Sequence, residues 1–264
     1  MARFVKGVAV CLLWGTSGIG LAQELVVGAL GDSITRAFNA GAPLDQPEKS
    51  WSTGYNTDAE TYSHAGRLRS LGYDVRAHNV ARSGGNAIEL PGQVDSLIEA
   101  EDGRAPDYVT MLIGANDVCD WGEDHGEALE AFQGDVDEAV AKLVDANPDV
   151  KILMAPIPNM LQLWAVGREH GCQARWDLYR MCTPLLGRGK SAAQRQAFGE
   201  RLADANTALA DVAASYPQHV MMADAVSTTE FQWEHISAID CFHPTEAGQE
   251  LLGEVTWSAS WFAE

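Results

Sequence analysis

Residues 25–35 read LVVGALGDSIT, an apolar run that ends in a short polar turn. An apolar, β-branched run of this length is typical of a buried strand, and the small residues Gly31, Asp32 and Ser33 indicate where the strand ends. Four further runs of the same character lie at residues 73–80, 108–113, 150–155 and 219–223. The sequence therefore predicts five short strands.

Helical patterns separate most of these strands, and together they predict the fold class. Strands that alternate with helices imply right-handed crossovers and a parallel sheet covered on both faces. We therefore expect an α/β protein, a three-layer α/β/α sandwich with a five-stranded parallel sheet. Residues 38–57 and 157–189 show little periodicity and are interpreted as long loops that frame a site. Three apolar stripes with helical spacing predict core-facing helices: Leu129, Phe132, Val136, Val140 and Leu143; Phe198, Leu202, Ala205, Leu209 and Val212; and Ala247, Leu251, Leu252 and Val255.

Four segments follow strands or precede the last predicted helix, and each carries a residue suited to acyl transfer. Ser33 could expose a nucleophilic hydroxyl where its strand ends. Gly84 lets the backbone approach a substrate closely, and the Asn116 side chain offers a hydrogen-bond donor. Asp240 and His243 have a spacing that can bring the carboxylate to one imidazole nitrogen and leave the other for a serine proton.

Each segment also has an ordinary structural interpretation when it is taken alone. Gly-Asp-Ser is a common turn sequence, and a Gly-rich segment is usually a loop. An Asn after a strand often caps a helix, and a single His is often a surface or structural residue. The order and placement of all four segments together favour a catalytic site.

Taken in order, the segments at Ser33, Gly84, Asn116 and Asp240 to His243 resemble the four sequence blocks of the SGNH, or GDSL, hydrolase family. The resemblance covers essentially the whole chain beyond residue 22, and no catalytic position of the family pattern is missing. It implies the flavodoxin-like SGNH hydrolase fold and catalysis by Ser33, Asp240 and His243. It also implies an oxyanion hole formed by the amides of Ser33 and Gly84 and the side chain of Asn116, with no metal or organic cofactor.

The sequence around these blocks is most similar to the phospholipase B-like branch of the family. The similar stretches are SWSTG at residues 50–54, IGANDVC at residues 113–119, and the DCFH motif followed by Gly248. Ala115 departs from the glycine expected there. This resemblance alone implies a phospholipid or lysophospholipid ester as substrate. The alternatives are a carbohydrate O-acetylesterase and a secreted binding protein on an inactive hydrolase scaffold.

Three tryptophans in predicted loops are candidates for lining an acyl groove, with local packing as the alternative: Trp51, Trp121 and Trp164. A Gly-x-Ser-x-Gly elbow is absent from the sequence, which argues against the other large α/β hydrolase fold.

The composition restricts the partners. The 264 residues carry a formal net charge of −19. Binding to nucleic acid depends on clustered Lys and Arg, so nucleic acid is not an expected partner, and anionic membranes should repel the chain. A small-molecule or lipid ester is the expected substrate.

The N-terminal residues are typical of a secretory signal. Arg3 and Lys6 precede a mostly apolar stretch at residues 8–19, and small residues follow. We expect a signal peptide at residues 1–22, a single SGNH hydrolase domain at residues 23–264, and a secreted or periplasmic protein. A retained membrane anchor is the alternative. However, the apolar stretch is shorter than the roughly 20 residues that span a bilayer, so no stable anchor is expected after cleavage.

Removal of the signal peptide would also remove Cys11 and leave an even set of cysteines, which fits two disulfides outside the cytosol. Zinc binding is the alternative, but the sequence has no Cys-x-x-Cys pair. In the proposed site, the segments of Asn116 and His243 must both approach Ser33. We therefore hypothesise that the nearby Cys119 and Cys241 pair with each other and that Cys172 pairs with Cys182, one of three possible connectivities.

Overall fold

The computed structural model describes residues 22–55, 62–122 and 124–263. Every predicted strand is present in these residues, with each end within one residue of its predicted position. The central strands are buried along almost their whole length, as expected for strands covered on both faces. The strands are β1 (Glu24–Gly31), β2 (Asp74–Asn79), β3 (Tyr108–Leu112), β4 (Lys151–Ala155) and β5 (Val220–Met222).

The five strands form one parallel sheet in the order β2-β1-β3-β4-β5. Within it, β1 pairs with β2 on one side, where Val27 lies opposite Ala77, and with β3 on the other, where Val27 lies opposite Tyr108. The strand order reverses between β1 and β3. In an open parallel sheet such a reversal leaves a crevice at the carboxyl ends of the strands. The loops that follow β1, β2 and β3 therefore meet at this edge.

Helices cover both faces of the sheet, which confirms the predicted three-layer α/β/α sandwich. One face carries α2, α4 and α8, which pack side by side in that order, and α1 and α9 contact each other on the opposite face. Within the described residues the α-helices are α1 (His64–Ser70), α2 (Leu90–Ala100), α3 (Ala115–Asp120), α4 (Gly126–Ala146), α5 (Met160–Glu169), α6 (Gln173–Tyr179), α7 (Thr183–Leu186), α8 (Ala192–Ser215) and α9 (Glu246–Trp257).

The apolar stripes predict α4 and α8 correctly, including most of their buried side chains. The last helix is also confirmed as α9, but its buried face is not the predicted one. Gly248, Gln249, Leu252, Gly253 and Thr256 are buried, whereas Ala247, Leu251 and Val255 are only partly buried. Small and polar residues form this face because the helix packs closely against the backbone of other segments, including those of Ile34 and Trp51. The Gln249 side chain accepts a hydrogen bond from Trp51 N (2.9 Å) and donates one to Ile34 O (2.8 Å).

Residues 157–189 are not the long loop that the sequence predicts, since they contain α5, α6 and α7. These helices are short, so they contain too few turns to show clear apolar periodicity in the sequence. They begin at local caps or at disulfide-linked residues. The Asn159 side chain caps α5, and Cys172 and Cys182 occupy the N-cap positions of α6 and α7. The other predicted loop does lack α-helix over its described part, residues 38–55.

The disulfides join Cys119 to Cys182 and Cys172 to Cys241, so the hypothesised pairing is wrong. The hypothesis assumed that residues 157–189 form a loop closed on itself. Because they form helices instead, Cys172 and Cys182 face different neighbours. Helix α7 packs against α3, which carries Cys119, and α6 packs beside the loop that carries Cys241. The disulfides therefore attach this segment to α3 and to the loop that carries Cys241.

The predicted signal peptide at residues 1–22 lies outside the described residues except for Ala22. Among the residues that the structure describes, no helix combines the length and apolar character needed to cross a bilayer.

Candidate active site

Ser33 lies two residues beyond the end of β1, in a turn fixed by hydrogen bonds within the chain. The Asp32 side chain accepts a hydrogen bond from Ile34 N (2.8 Å), and Ser33 O accepts one from Phe38 N (3.0 Å). Ser33 is 6% exposed, so it is largely shielded from bulk solvent. The turn holds the Ser33 backbone in a defined position.

Gly31 connects the strand to this turn through a conformation that only glycine readily adopts. Its φ is +140°, and a Cβ at this position would collide with the carbonyl oxygen of Leu112. The buried side chain of Gln93 in α2 accepts a hydrogen bond from Gly31 N and donates one to Gly31 O, both at 2.9 Å. The glycine at position 31 of the predicted motif is therefore required sterically, because any side chain there would collide with Leu112 O.

Residues from the two ends of the chain come into direct contact in the crevice. His243 Nε2 lies 2.7 Å from Ser33 Oγ, and His243 Nδ1 lies 2.6 Å from Asp240 Oδ2. Asp240 Oδ1 accepts hydrogen bonds from the backbone amides of Phe242 (2.8 Å) and His243 (3.1 Å). All three side chains are buried, with Asp240 2% and His243 6% exposed. The structure thus brings together the three residues that the sequence analysis selected as a triad.

Asp240 remains a carboxylate in this setting. Burial raises its pKa, but hydrogen bonds from His243 and Asn39, together with the charge of His243, outweigh burial, so the pKa lies below its ordinary value. A carboxylate can only accept hydrogen bonds, so Nδ1 of His243 carries a proton and donates it to Asp240. When the imidazole carries only this proton, Nε2 can accept the Ser33 hydroxyl proton.

Gly84 lies on the loop that follows β2 and Asn116 at the start of α3, which follows β3, so they lie on either side of the turn that carries Ser33. Gly84 is exposed, its φ is +81°, and nothing lies within 4 Å of where a Cβ would be. Asn116 is in the first turn of α3, and its side-chain amide donates a hydrogen bond to Gly85 O (2.9 Å). This bond leaves the second N–H of the Asn116 amide available. The structure therefore places both predicted donors at the same edge of the sheet as Ser33.

Two buried carboxyl groups, those of Asp32 and Asp117, lie next to site residues and were not selected in the sequence analysis. Burial raises the pKa of Asp32 to about 7, and Asp32 Oδ2 has no hydrogen-bond partner. Burial also raises the pKa of Asp117 to about 6, and its carboxyl group accepts a hydrogen bond from Ala87 N. Both residues adjoin predicted site residues in the sequence, but their burial could not be predicted from that position.

Asn39 is a further residue that the sequence analysis missed. Its side-chain amide donates a hydrogen bond to Asp240 Oδ2 (2.6 Å), the same oxygen that faces His243. Asn39 lies in the predicted loop at residues 38–57, and nothing in the sequence pattern distinguishes it from other polar loop residues.

An apolar pocket with a cavity volume of about 50 Å³, open to solvent, lies next to residues that adjoin Ser33 and His243 in the chain. Its lining includes chain neighbours of three site residues: Ile34 follows Ser33, Ala115 precedes Asn116, and Phe242 and Pro244 flank His243. The rest of the lining comes from the start of α5, from the loop before His243 and from α9: Pro158, Asn159, Met160, Leu163, Phe231, His235, Ile236 and Leu252.

The three tryptophans proposed for an acyl groove do not line this pocket. Trp51 is fully buried in the core. Trp121 stacks on His125, with ring centroids 5.8 Å apart, and Trp164 packs against the guanidinium groups of Arg168 and Arg195. These contacts fit the alternative interpretation, local packing, although Trp121 also lines a separate groove beside α8.

Comparisons with known proteins agree with the fold and with the family that the sequence resembles. The GDSL-like Lipase/Acylhydrolase family matches residues 29–251, which include all four predicted segments. A search of curated protein sequences found no match.

Similar solved structures include a lipase from a goat rumen metagenome, which is 16% identical and has a TM-score of 0.60 over 91% of this chain and 99% of that one. An extracellular lipase from Streptomyces rimosus is 16% identical, with a TM-score of 0.54 over 89% of this chain and 100% of that one. An acetyl xylan esterase from Geobacillus stearothermophilus is 16% identical, with a TM-score of 0.54 over 92% of this chain and 98% of that one.

At these identities the likeness to the solved structures concerns the fold alone. The family match is broader evidence, since it runs from the first strand into the last helix. The chain therefore belongs to the GDSL-like lipase and acylhydrolase family.

Proposed function

We propose that this chain hydrolyses carboxylic esters, with Ser33 as the nucleophile and His243 and Asp240 as its acid–base partners. The observation that carries the proposal is the continuous hydrogen-bonded path from Ser33 Oγ through His243 to Asp240, with distances of 2.7 and 2.6 Å. This arrangement lets a neutral hydroxyl attack a carbonyl carbon while its proton moves to a nearby base.

In the proposed reaction, Ser33 Oγ forms a bond to the acyl carbon while its proton passes to His243 Nε2. The amides of Ser33 and Gly84 and the side chain of Asn116 donate hydrogen bonds to the oxyanion. The imidazolium then protonates the leaving alcohol as the ester C–O bond breaks. Water then attacks the acyl-enzyme carbonyl carbon while its proton passes to His243 Nε2. The bond between the acyl carbon and Ser33 Oγ breaks, the imidazolium returns its proton to Oγ, and the carboxylic acid leaves.

The apolar pocket favours an ester with an aliphatic acyl chain over an acetyl ester. The lining is mainly apolar, and each methylene that is buried against it contributes about 0.8 kcal/mol to binding. This supports the phospholipase B-like assignment, with phospholipid or lysophospholipid acyl esters as the proposed substrates. A carbohydrate O-acetylesterase predicts the opposite chain-length preference.

The test compares turnover of acetyl, octanoyl and longer p-nitrophenyl esters, and of a lysophospholipid, by the parent and by Ser33→Ala. We expect kcat to fall on the order of 10⁵- to 10⁶-fold in Ser33→Ala and on the order of 10²- to 10³-fold in Asn116→Ala. Ser96→Ala, an exposed serine of α2, is the matched control and should be unchanged. Equal activity in Ser33→Ala and the control would reject the mechanism. A parent that binds these esters without turning them over would favour a binding protein.

We also propose that residues 1–22 are a signal peptide and that residues 23–264 form a single exported hydrolase domain. Two disulfides are consistent with an oxidising compartment. Intact mass measurement of the exported protein should give a chain that begins near Gln23. A protein that keeps its first 22 residues and remains in the cytosol would contradict this proposal.

A further inference from the structure

Asn39 lies six residues after Ser33 and contacts the opposite end of the chain. It is 6% exposed and has a φ of +58°, a left-handed conformation that Asn tolerates better than most residues. Its side-chain amide donates to Asp240 Oδ2 at 2.6 Å. Asp240 therefore accepts four hydrogen bonds, two on Oδ1 from backbone amides and two on Oδ2 from His243 and Asn39.

We propose that Asn39 is a positioning residue, whose amide holds the Asp240 carboxylate in the orientation that directs His243 toward Ser33. This inference rests on the proposed function of the triad. Asn39 makes no hydrogen bond to Ser33 or to the imidazole, and it acts through Asp240. Without this donor, one oxygen of a buried carboxylate has only the imidazole to satisfy it, and the carboxylate can rotate or take up a proton.

The surroundings of Asn39 determine which way its amide points. Asn39 Oδ1 accepts a hydrogen bond from Leu44 N (2.9 Å), while Asn39 N donates to Leu44 O (2.9 Å). Asn39 O also accepts a hydrogen bond from Ser237 Oγ (2.7 Å). A flipped amide would turn its NH₂ toward the Leu44 N–H and its oxygen toward the Asp240 carboxylate. Both contacts would then be repulsive, so the NH₂ group is fixed on Asp240.

Asn39→Asp tests this role with almost no change in shape. The variant keeps an acceptor for Leu44 N and tolerates the same backbone conformation, but it replaces the donor that faces Asp240 with an oxygen. We expect kcat to fall on the order of 10- to 10²-fold, because two adjacent carboxyl groups repel each other or share one proton, and either case weakens the negative charge that Asp240 presents to His243. KM should stay within about two-fold because Asn39 does not contact the substrate in this mechanism.

The matched control is Asn147→Asp, which makes the same chemical change at the amino end of the sheet. Asn147 is 3% exposed, and its amide donates to Ala105 O and Pro106 O. We expect this variant to lose stability with less than about a two-fold change in kcat. If Asn39→Asp does not fold, Asn39→Gly removes the side chain without backbone strain at a positive φ and should lower kcat in the same way.

Proton NMR of the imidazole Nδ1–H of His243 gives a readout that a purely structural role would not change. We expect this resonance to shift or broaden in Asn39→Asp and to remain in place in Asn147→Asp. An unchanged kcat and resonance in folded Asn39→Asp would overturn the inference, as would losses equal to those of the control. If the parent turns over no ester, the proposed function fails, whereas the resonance still reports whether Asn39 orients the Asp240–His243 pair.

Discussion

At the scale of single residues, the two nitrogens of His243 have partners of different kinds. Nδ1 faces a carboxylate and Nε2 faces a hydroxyl, at 2.6 and 2.7 Å. The carboxylate determines which nitrogen carries the proton in the resting state and stabilises the imidazolium that forms during the reaction. Replacing the carboxylate at position 240 by an amide of the same size should therefore lower the reaction rate strongly.

Asp240→Asn is expected to lower kcat by about 10⁴-fold with little change in structure, because an amide that donates to Nδ1 enforces the wrong tautomer. Steady-state kinetics on an octanoyl ester measures this loss. Asp107→Asn is the matched control, since Asp107 also accepts a backbone hydrogen bond, from Val26 N, but lies at the start of β3. Similar losses in the two variants would contradict a catalytic role for Asp240.

At the scale of secondary-structure elements, the segment that carries α5, α6 and α7 is attached to the site at two points. Cys172–Cys241 holds a residue that lies between Asp240 and His243, and Trp176 Nε1 donates to Cys241 O at 2.9 Å. Cys119–Cys182 holds α3 beyond Asn116. The sequence separations of 69 and 63 are nearly equal, so chain entropy predicts a similar loss of stability, about 4 kcal/mol, on removing either disulfide.

Their effects on activity should differ. Replacing Cys172 and Cys241 by serine should lower kcat more than replacing Cys119 and Cys182, because the first disulfide anchors the loop that carries the acid–base pair. The measurement is kcat at a temperature where circular dichroism finds both double variants folded. A larger loss in the Cys119 and Cys182 double variant would contradict this prediction.

The pocket formed in part by α5 should select the acyl chain. Leu163 lines the pocket, and Leu163→Trp should reduce the space for an acyl chain. We expect the ratio of kcat/KM for octanoyl to that for acetyl esters to fall by about 10-fold or more. Leu178→Trp on the exposed side of α6 should leave this ratio unchanged. An unchanged ratio in Leu163→Trp would exclude the pocket as the acyl site.

The elements differ in how far the sequence predicts them, for physical reasons. Burial on both faces makes β1 and β3 continuous apolar runs, so their bounds are visible in the sequence. By contrast, α6 depends on a disulfide partner far along the chain, and Asn39 acquires its role from a contact 201 residues away. Residues that carry the chemistry were predictable from their motifs, whereas the residues that hold them depend on tertiary contacts.

At the scale of the whole molecule, stability and the site are linked through a buried acid. Burial raises the pKa of Asp32 to about 7 from an ordinary value of 3.8. Between these values the folded protein binds a proton that the unfolded chain releases. The free energy of unfolding should therefore decrease as pH rises through this window, and the contribution of Asp32 should be lost above pH 7.

Asp32→Asn cannot ionise and keeps an acceptor for Ile34 N, so it should remove this dependence. We expect the variant to gain stability relative to the parent between pH 5 and pH 8, by on the order of 2 kcal/mol. Urea unfolding of both proteins at the two pH values measures the gain. Asp117 titrates in both proteins, so its contribution cancels apart from its electrostatic interaction with Asp32. A stability difference that does not change with pH would contradict the raised pKa of Asp32.

Covalent trapping tests the role of Ser33 most directly. A p-nitrophenyl alkylphosphonate should react with the parent as Ser33 Oγ bonds to phosphorus and p-nitrophenolate leaves, giving one label per chain on the peptide that contains Ser33. Ser33→Ala should take up no label, and His243→Gln should react far more slowly. A folded parent that remains unlabelled, or one labelled at a different residue, would contradict Ser33 as the nucleophile.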